Sequence, residues 1–118
     1  MITQLSPADF NAWRDSMGAG APTPVVLDVR EPWELQTASV TEDGFTLLRI
    51  PMRELPARVE QLKQQFGADQ PVACLCHHGM RSLQVANFLA QSGFTDVVNI
   101  HGGIDAWSKQ RDTAVPLY

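Results

Sequence analysis

The sequence has few cysteines and no long apolar run. Its two cysteines, Cys74 and Cys76, lie too close together to bridge distant parts of a fold, which excludes a disulfide framework. No window approaches the roughly 20 apolar residues of a membrane-spanning helix. The N-terminus shows no basic segment followed by an apolar stretch, the pattern of a secretory signal. We therefore expect a soluble, cytoplasmic protein, or a module of a longer one, with no membrane partner.

Positive charge is also scarce. Lys and Arg total 9 against 13 Asp and Glu, which gives a formal net charge of −4, and the cations are scattered along the chain. Nucleic-acid binding needs a basic face, so a nucleic-acid partner is not expected. Hydrophobic residues make up 44% of the 118 residues, enough for a core without disulfides. The length predicts one domain over residues 1–118.

Short apolar runs alternate with segments of helical period, the pattern of an α/β domain. The runs predict strands at residues 2–5, 24–29, 45–50, 71–75 and 97–100. Helices are predicted from Ser6 to Met17, over 55–66 and over 81–91, with a short final one marked by Ile104 and Trp107. We expect a central, mostly parallel five-stranded sheet with helices on both faces.

Cys76 is the residue placed best for chemistry. It follows a predicted buried strand and precedes the start of a helix, at the edge of the sheet where α/β proteins bind ligands. Unpaired N–H groups at a helix start favour an anion such as a thiolate. Gly79 allows the loop to bend toward the sulfur, and Arg81 adds a permanent positive charge. The pattern predicts a cradle for an anionic sulfur species.

Three stretches resemble the rhodanese family. Residues 76–82 (CHHGMRS) resemble its Cys-x-x-Gly-x-Arg-Ser/Thr active-site loop, and residues 28–34 (DVREPWE) look like its Asp-x-Arg-Glu-x-x-Glu segment. Residues 102–107 (GGIDAW) look like its Gly-Gly-x-x-x-Trp ending. The stretches follow the family's order, and the resemblance covers about residues 2–112. It implies a rhodanese-like fold and a sulfurtransferase that needs no cofactor.

The resemblance also implies how the residues divide the work. Cys76 is the catalytic nucleophile, which takes sulfane sulfur from thiosulfate or a persulfide and passes it to a thiol, a protein acceptor or cyanide. The substrate-binding loop comprises His77, His78, Gly79, Met80, Arg81 and Ser82. Asp28 and Arg30 read as an ion pair that supports the carboxyl edge of the sheet. Residues 35–45 depart from the family's Gly-His-Ile then Gly-Ala pattern, so we expect a reshaped loop there.

Cys74 has an expectation of its own, and three alternative interpretations of the site stay open. Cys74 lies within an apolar run and is expected to pack in the core. A metal site at Cys-x-Cys-His-His is disfavoured because no second Cys/His cluster completes it. A phosphatase or arsenate reductase would resemble Cys-x5-Arg, whereas only four residues separate Cys76 from Arg81. A non-catalytic rhodanese-like docking module is the alternative from another functional class.

Overall fold

Five parallel strands form the centre of the molecule. The computed structural model describes residues 1–118. The strands are β1 (Thr3–Leu5), β2 (Val25–Asp28), β3 (Thr46–Arg49), β4 (Val72–Leu75) and β5 (Val97–Ile100). They lie in the order β1-β5-β4-β2-β3, and every neighbouring pair is parallel. The predicted sheet is confirmed; it is parallel throughout because each strand returns by a crossover of at least one helical segment.

The helices differ from the prediction mainly near the N-terminus and after β2. They are α1 (Phe10–Asp15), α2 (Pro32–Thr37), α3 (Leu55–Phe66), α4 (Met80–Gln91) and α5 (Gly103–Gln110). A 3-10 turn over Pro7–Asp9 precedes α1, and the helix ends before Met17. The Ser6 hydroxyl donates to the Asp9 carboxylate at 3.0 Å and caps no backbone group. The predicted start and end of this first helix were therefore wrong.

Helix α2 was absent from the prediction, although the sequence contains its signals. Pro32 occupies the first turn, where a missing N–H costs nothing. The Glu34 carboxylate reaches back and accepts the backbone N–H of Glu31 at 2.9 Å, as in a capping box. Beyond this helix, Ala38 and Val40 are buried in the core. Residues 35–45, which we call the atypical segment, are thus anchored to the domain at two positions.

Two apolar layers cover the sheet, one on each face. Alternation along β4 sends Cys74 toward one face and Ala73 and Leu75 toward the other. The first layer packs the sheet against α3 and α4, through residues such as Leu62 and Leu89. The second packs it against α1 and α5, where the Phe10 and Trp107 rings meet edge to face at 5.0 Å between centroids. Helices therefore flank both faces, as predicted.

The carboxyl ends of the strands bring three helix starts together. Helices α2, α4 and α5 begin within a few residues of the ends of β2, β4 and β5. Parallel strands end at the same edge, so the N–H-rich starts of these helices lie at the edge that holds Cys76. Among the helices, none is long and apolar enough to cross a membrane.

Candidate active site

The Cys76 sulfur is held where the chain leaves β4 and turns into α4. The residue is 1% exposed, and its Sγ atom accepts the backbone N–H of Gly79 at 3.1 Å. Gly79 has φ +101°, a conformation that side chains other than glycine's rarely adopt, and it directly precedes the first residue of α4. The loop thus aims a backbone donor at the sulfur, which stabilises negative charge there.

The start of α5 clamps the backbone of the same loop. Ile104 donates its N–H to the Cys76 carbonyl at 2.8 Å, and Asp105 donates to the His77 carbonyl at 3.2 Å. A side chain on Gly103 would overlap both carbonyl oxygens, and Gly103 itself has φ +64°. Glycine is therefore required at position 103 by the close approach of two backbones. Trp107, fully buried, fixes α5 in the core.

Arg81, in the first turn of α4, is paired with a carboxylate. Its two terminal nitrogens donate to the two carboxylate oxygens of Glu34, each at 2.8 Å. This pairing lowers the pKa of Glu34 from its ordinary 4.5 to about 2 and raises the pKa of Arg81. The Tyr118 hydroxyl also donates to Glu34, at 2.9 Å. The Arg81 charge that was predicted to favour an anionic sulfur is thus paired with a carboxylate.

Asp28 and Arg30 form the predicted ion pair at the end of β2. Both side chains are fully buried, and Arg30 Nη2 lies 2.7 Å from Asp28 Oδ2. The guanidinium also donates to the Ala38 carbonyl at 2.9 Å and to the Tyr118 hydroxyl at 3.0 Å. The pair thereby joins the sheet edge, the atypical segment and the C-terminal residue. Its presence is confirmed; its support of the carboxyl edge of the sheet stays a prediction.

The side chains of the other loop residues point in different directions. His77 stacks on the Tyr118 ring at 3.8 Å between centroids, and its Nε2 lies 2.8 Å from the Tyr118 carbonyl oxygen. His78 is exposed and stacks on His77 at 4.0 Å. Met80 is 72% exposed, and the buried Ser82 hydroxyl donates to Asn99 at 2.5 Å. Substrate binding by these residues stays a prediction, and the Ser82 side chain faces the interior.

Asn99 and Tyr118 were both missed by the sequence reasoning. Asn99 Nδ2 donates to the Gly79 carbonyl at 3.1 Å and to Gln4 Oε1 at 2.9 Å. Together with the Ser82 bond, these contacts tie the loop and α4 to strands β5 and β1. A polar residue inside the apolar run of β5 was the available signal, since a buried amide needs partners. The sequence carries no signal for Tyr118, because only the tertiary fold brings it to the loop.

Cys74 has the structural position that its sequence context predicts. It is fully buried, it belongs to the core layer that packs α3 and α4, and its thiol is free. Burial raises its pKa far above the ordinary value, with a smaller contribution from the neighbouring Cys76. The thiol is therefore protonated and packs as a small apolar side chain. No three His, Cys, Asp or Glu residues are grouped so as to hold a metal ion.

Comparison with known proteins identifies the family of this site. A plastid protein of Arabidopsis thaliana, rhodanese-like/PpiC domain-containing protein 12, is 38% identical over 93 residues, which cover 79% of this chain and 30% of that protein. The thiosulfate sulfurtransferase GlpE of Vibrio cholerae is 31% identical over 84 residues, covering 71% of this chain and 72% of that one. The chain thus spans under a third of the first relative and most of the second.

A solved structure and a family model agree with these relatives. The crystal structure of a rhodanese-related protein from Thermoplasma volcanium superposes with a TM-score of 0.73 at 30% identity, covering 98% of this chain and 99% of that one. The family model of the rhodanese-like domain matches residues 11–110, a span that includes all three stretches singled out above. This chain belongs to the rhodanese-like domain family.

Proposed function

We propose that this protein is a sulfurtransferase that carries sulfane sulfur as a persulfide on Cys76. The observation on which this rests most is the Gly79 N–H that donates to Cys76 Sγ at 3.1 Å, at the start of α4. A backbone donor aimed at a buried sulfur stabilises a thiolate, and afterwards the outer sulfur of a persulfide. The Vibrio cholerae relative, a thiosulfate sulfurtransferase, supports the same chemistry.

The reaction is a double displacement. The Cys76 thiolate attacks the terminal sulfur of thiosulfate; a sulfur–sulfur bond forms, the one in the donor breaks, and its electron pair leaves with sulfite. An acceptor thiolate or cyanide then attacks the outer sulfur of the persulfide and restores the Cys76 thiolate. Charge balances in both halves, and neither needs a cofactor. In this proposal, residues 77–82 form the loop that binds the donor, and the buried Asp28–Arg30 pair supports the carboxyl edge of the sheet.

A docking module without catalysis is a second candidate. One observation favours it: Cys76 is only 1% exposed, which restricts the sulfur to small or slender reactants. Against it stand the free thiol and its backbone donor, for which simple docking has no use. Loading of Cys76 by a small donor separates the two candidates, because a docking module has no reason to accept sulfur.

The test is thiocyanate formation from a sulfane-sulfur donor and cyanide. We expect the wild-type protein to turn over and Cys76→Ser to have no activity, since a hydroxyl forms no persulfide. Cys74→Ala is the matched control: it removes the other thiol, which is buried in the core, and leaves Cys76 as the only one. Turnover by Cys76→Ser would refute the persulfide mechanism. An inactive wild type would favour the docking module.

A further inference from the structure

Two arginines at the carboxyl edge of the sheet, Arg30 after β2 and Arg81 at the start of α4, are paired with carboxylates. Arg30 lies 2.7 Å from Asp28, and Arg81 lies 2.8 Å from Glu34. These four side chains sum to zero charge. A donor anion that approaches Cys76 therefore meets an Arg81 charge that Glu34 offsets, where the sequence alone indicated a free cation.

Glu34 is the carboxylate that sets the net charge beside Arg81. Its side chain is 11% exposed, and both of its oxygens accept from Arg81. Because the Arg81 hydrogen bonds hold its pKa near 2, Glu34 stays negative throughout the physiological range. Arg81 is the second residue of α4 and follows directly on the loop whose Gly79 N–H bonds the Cys76 sulfur, and the charge of that sulfur contributes to the raised pKa of Arg81. Glu34 thus offsets a positive charge that the sulfur otherwise experiences.

No other lysine or arginine replaces the positive charge that Glu34 offsets. Eight of the nine cationic side chains lie within 4.0 Å of a carboxylate; Arg49 is the exception. Arg49 ends the edge strand β3, two strands away from β4, or about 10 Å at ordinary strand spacing. Its guanidinium donates to the Ser39 hydroxyl at 3.2 Å. The chain as a whole carries −4, which also opposes approach of a highly charged anion.

We propose that Glu34 is a specificity-determining residue that disfavours dianionic donors, so that the site prefers a monoanionic sulfane-sulfur compound to thiosulfate. Small-thiol persulfides belong to the preferred class. This inference rests on the proposed function. The step is the same for a thiosulfonate monoanion: the Cys76 thiolate bonds to the terminal sulfur, the donor's sulfur–sulfur bond breaks, and its electron pair leaves with the sulfinate. One negative charge enters on the donor and one leaves.

Methanethiosulfonate and thiosulfate form a matched pair of probes. They share the terminal sulfur that is transferred, and a methyl group in one replaces a charged oxygen in the other. The measured quantity is the ratio of kcat/KM for the two donors with cyanide as acceptor. Dividing it by the ratio of their rates with a small free thiolate removes their intrinsic reactivity. The normalised ratio depends on charge at the site and is independent of the fraction of folded protein.

In the wild type we expect this ratio to favour methanethiosulfonate. Glu34→Gln should shift it toward thiosulfate by on the order of fivefold, the Coulomb energy of one extra unit charge about 8 Å away at an effective dielectric constant near 40. Arg81→Gln should shift it in the opposite direction. Glu60→Gln, which removes the same charge from a side chain that is 74% exposed on α3, should leave it at the wild-type value. Added salt should weaken the preference.

The possible failures are distinguishable. An unchanged ratio in Glu34→Gln would overturn the inference and leave the sulfurtransferase proposal intact. A wild-type preference for thiosulfate would do the same. Absence of thiocyanate with either donor would overturn the proposed function and the inference with it. If Glu34→Gln does not fold, Glu34→Gln/Arg81→Gln is compared with Arg81→Gln: a further shift toward thiosulfate supports the inference, and an equal ratio overturns it.

Discussion

The buried pair of Asp28 and Arg30 gives the most severe test of how the sheet edge is held. Asp28→Asn keeps the size of the side chain and removes its charge, which leaves a fully buried guanidinium without a counterion. Breaking a buried pair in this way costs about 3–5 kcal/mol. A domain of this size unfolds with about 5–15 kcal/mol, so the variant loses a large share of its stability. The Ala38 and Tyr118 bonds to Arg30 cannot replace the lost charge.

The assay is urea unfolding followed by tryptophan fluorescence, with the double variant completing a cycle. Arg30→Met should cost a similar amount, because it buries an unpaired carboxylate. Asp28→Asn/Arg30→Met should cost less than the sum of the two, by about 2 kcal/mol or more. Glu60→Gln is the exposed control and should change stability by less than about 1 kcal/mol. Additive single effects, or a loss below about 1 kcal/mol for Asp28→Asn, would refute the reasoning.

Three further predictions follow from the loop and its neighbours. Gly103→Ala should destabilise the protein by about 3 kcal/mol or more and slow sulfur transfer, because its methyl group overlaps the carbonyls of Cys76 and His77. Gly18→Ala, also at positive φ but with open space around it, should cost only about 1–2 kcal/mol in the same unfolding assay. The folded state lowers the pKa of Glu34 from 4.5 to about 2, so the stability that Glu34 adds over Glu34→Gln is fully present above about pH 4.5 and lost as the pH falls toward 2. Unfolding of both proteins at pH 6 and near pH 3 should show this difference shrink from about 2 kcal/mol, and a constant difference would contradict it. Tyr118→Phe should lose about 1 kcal/mol, measured by thermal melting, because the hydroxyl between Arg30 and Glu34 is removed while the stack on His77 is kept; an unchanged melting temperature would show that these bonds contribute nothing.

The centre of the sheet was predictable because strands β2 and β4 are buried on both faces. Strands in that position carry continuous apolar runs such as Val25–Leu27 and Val72–Leu75, which the sequence shows directly. Helix α2 was missed because none of its residues is buried, so it has no apolar stripe to detect. Only its capping residues marked it in the sequence.

At the site, features set by neighbouring residues could be predicted, and features set by long-range contacts could not. The position of Cys76 before Gly79 and α4 could be predicted because strand, loop and helix are consecutive in the chain. The pairing of Arg81 with Glu34 joins residues 47 positions apart, and no local pattern indicates it. Asn99 and Tyr118 likewise depend on tertiary contacts. The position of Cys76 could therefore be predicted from the sequence, whereas the charge around it could not.

The central claim is that Cys76 accepts and holds sulfane sulfur. Intact-protein mass spectrometry after incubation with thiosulfate or methanethiosulfonate tests it most directly, on the wild type, Cys74→Ala and Cys76→Ser. We predict a gain of one sulfur atom in the wild type and in Cys74→Ala, reversed by cyanide, and no gain in Cys76→Ser. A gain that persists in Cys76→Ser, or no gain in any of the three proteins, would contradict the account.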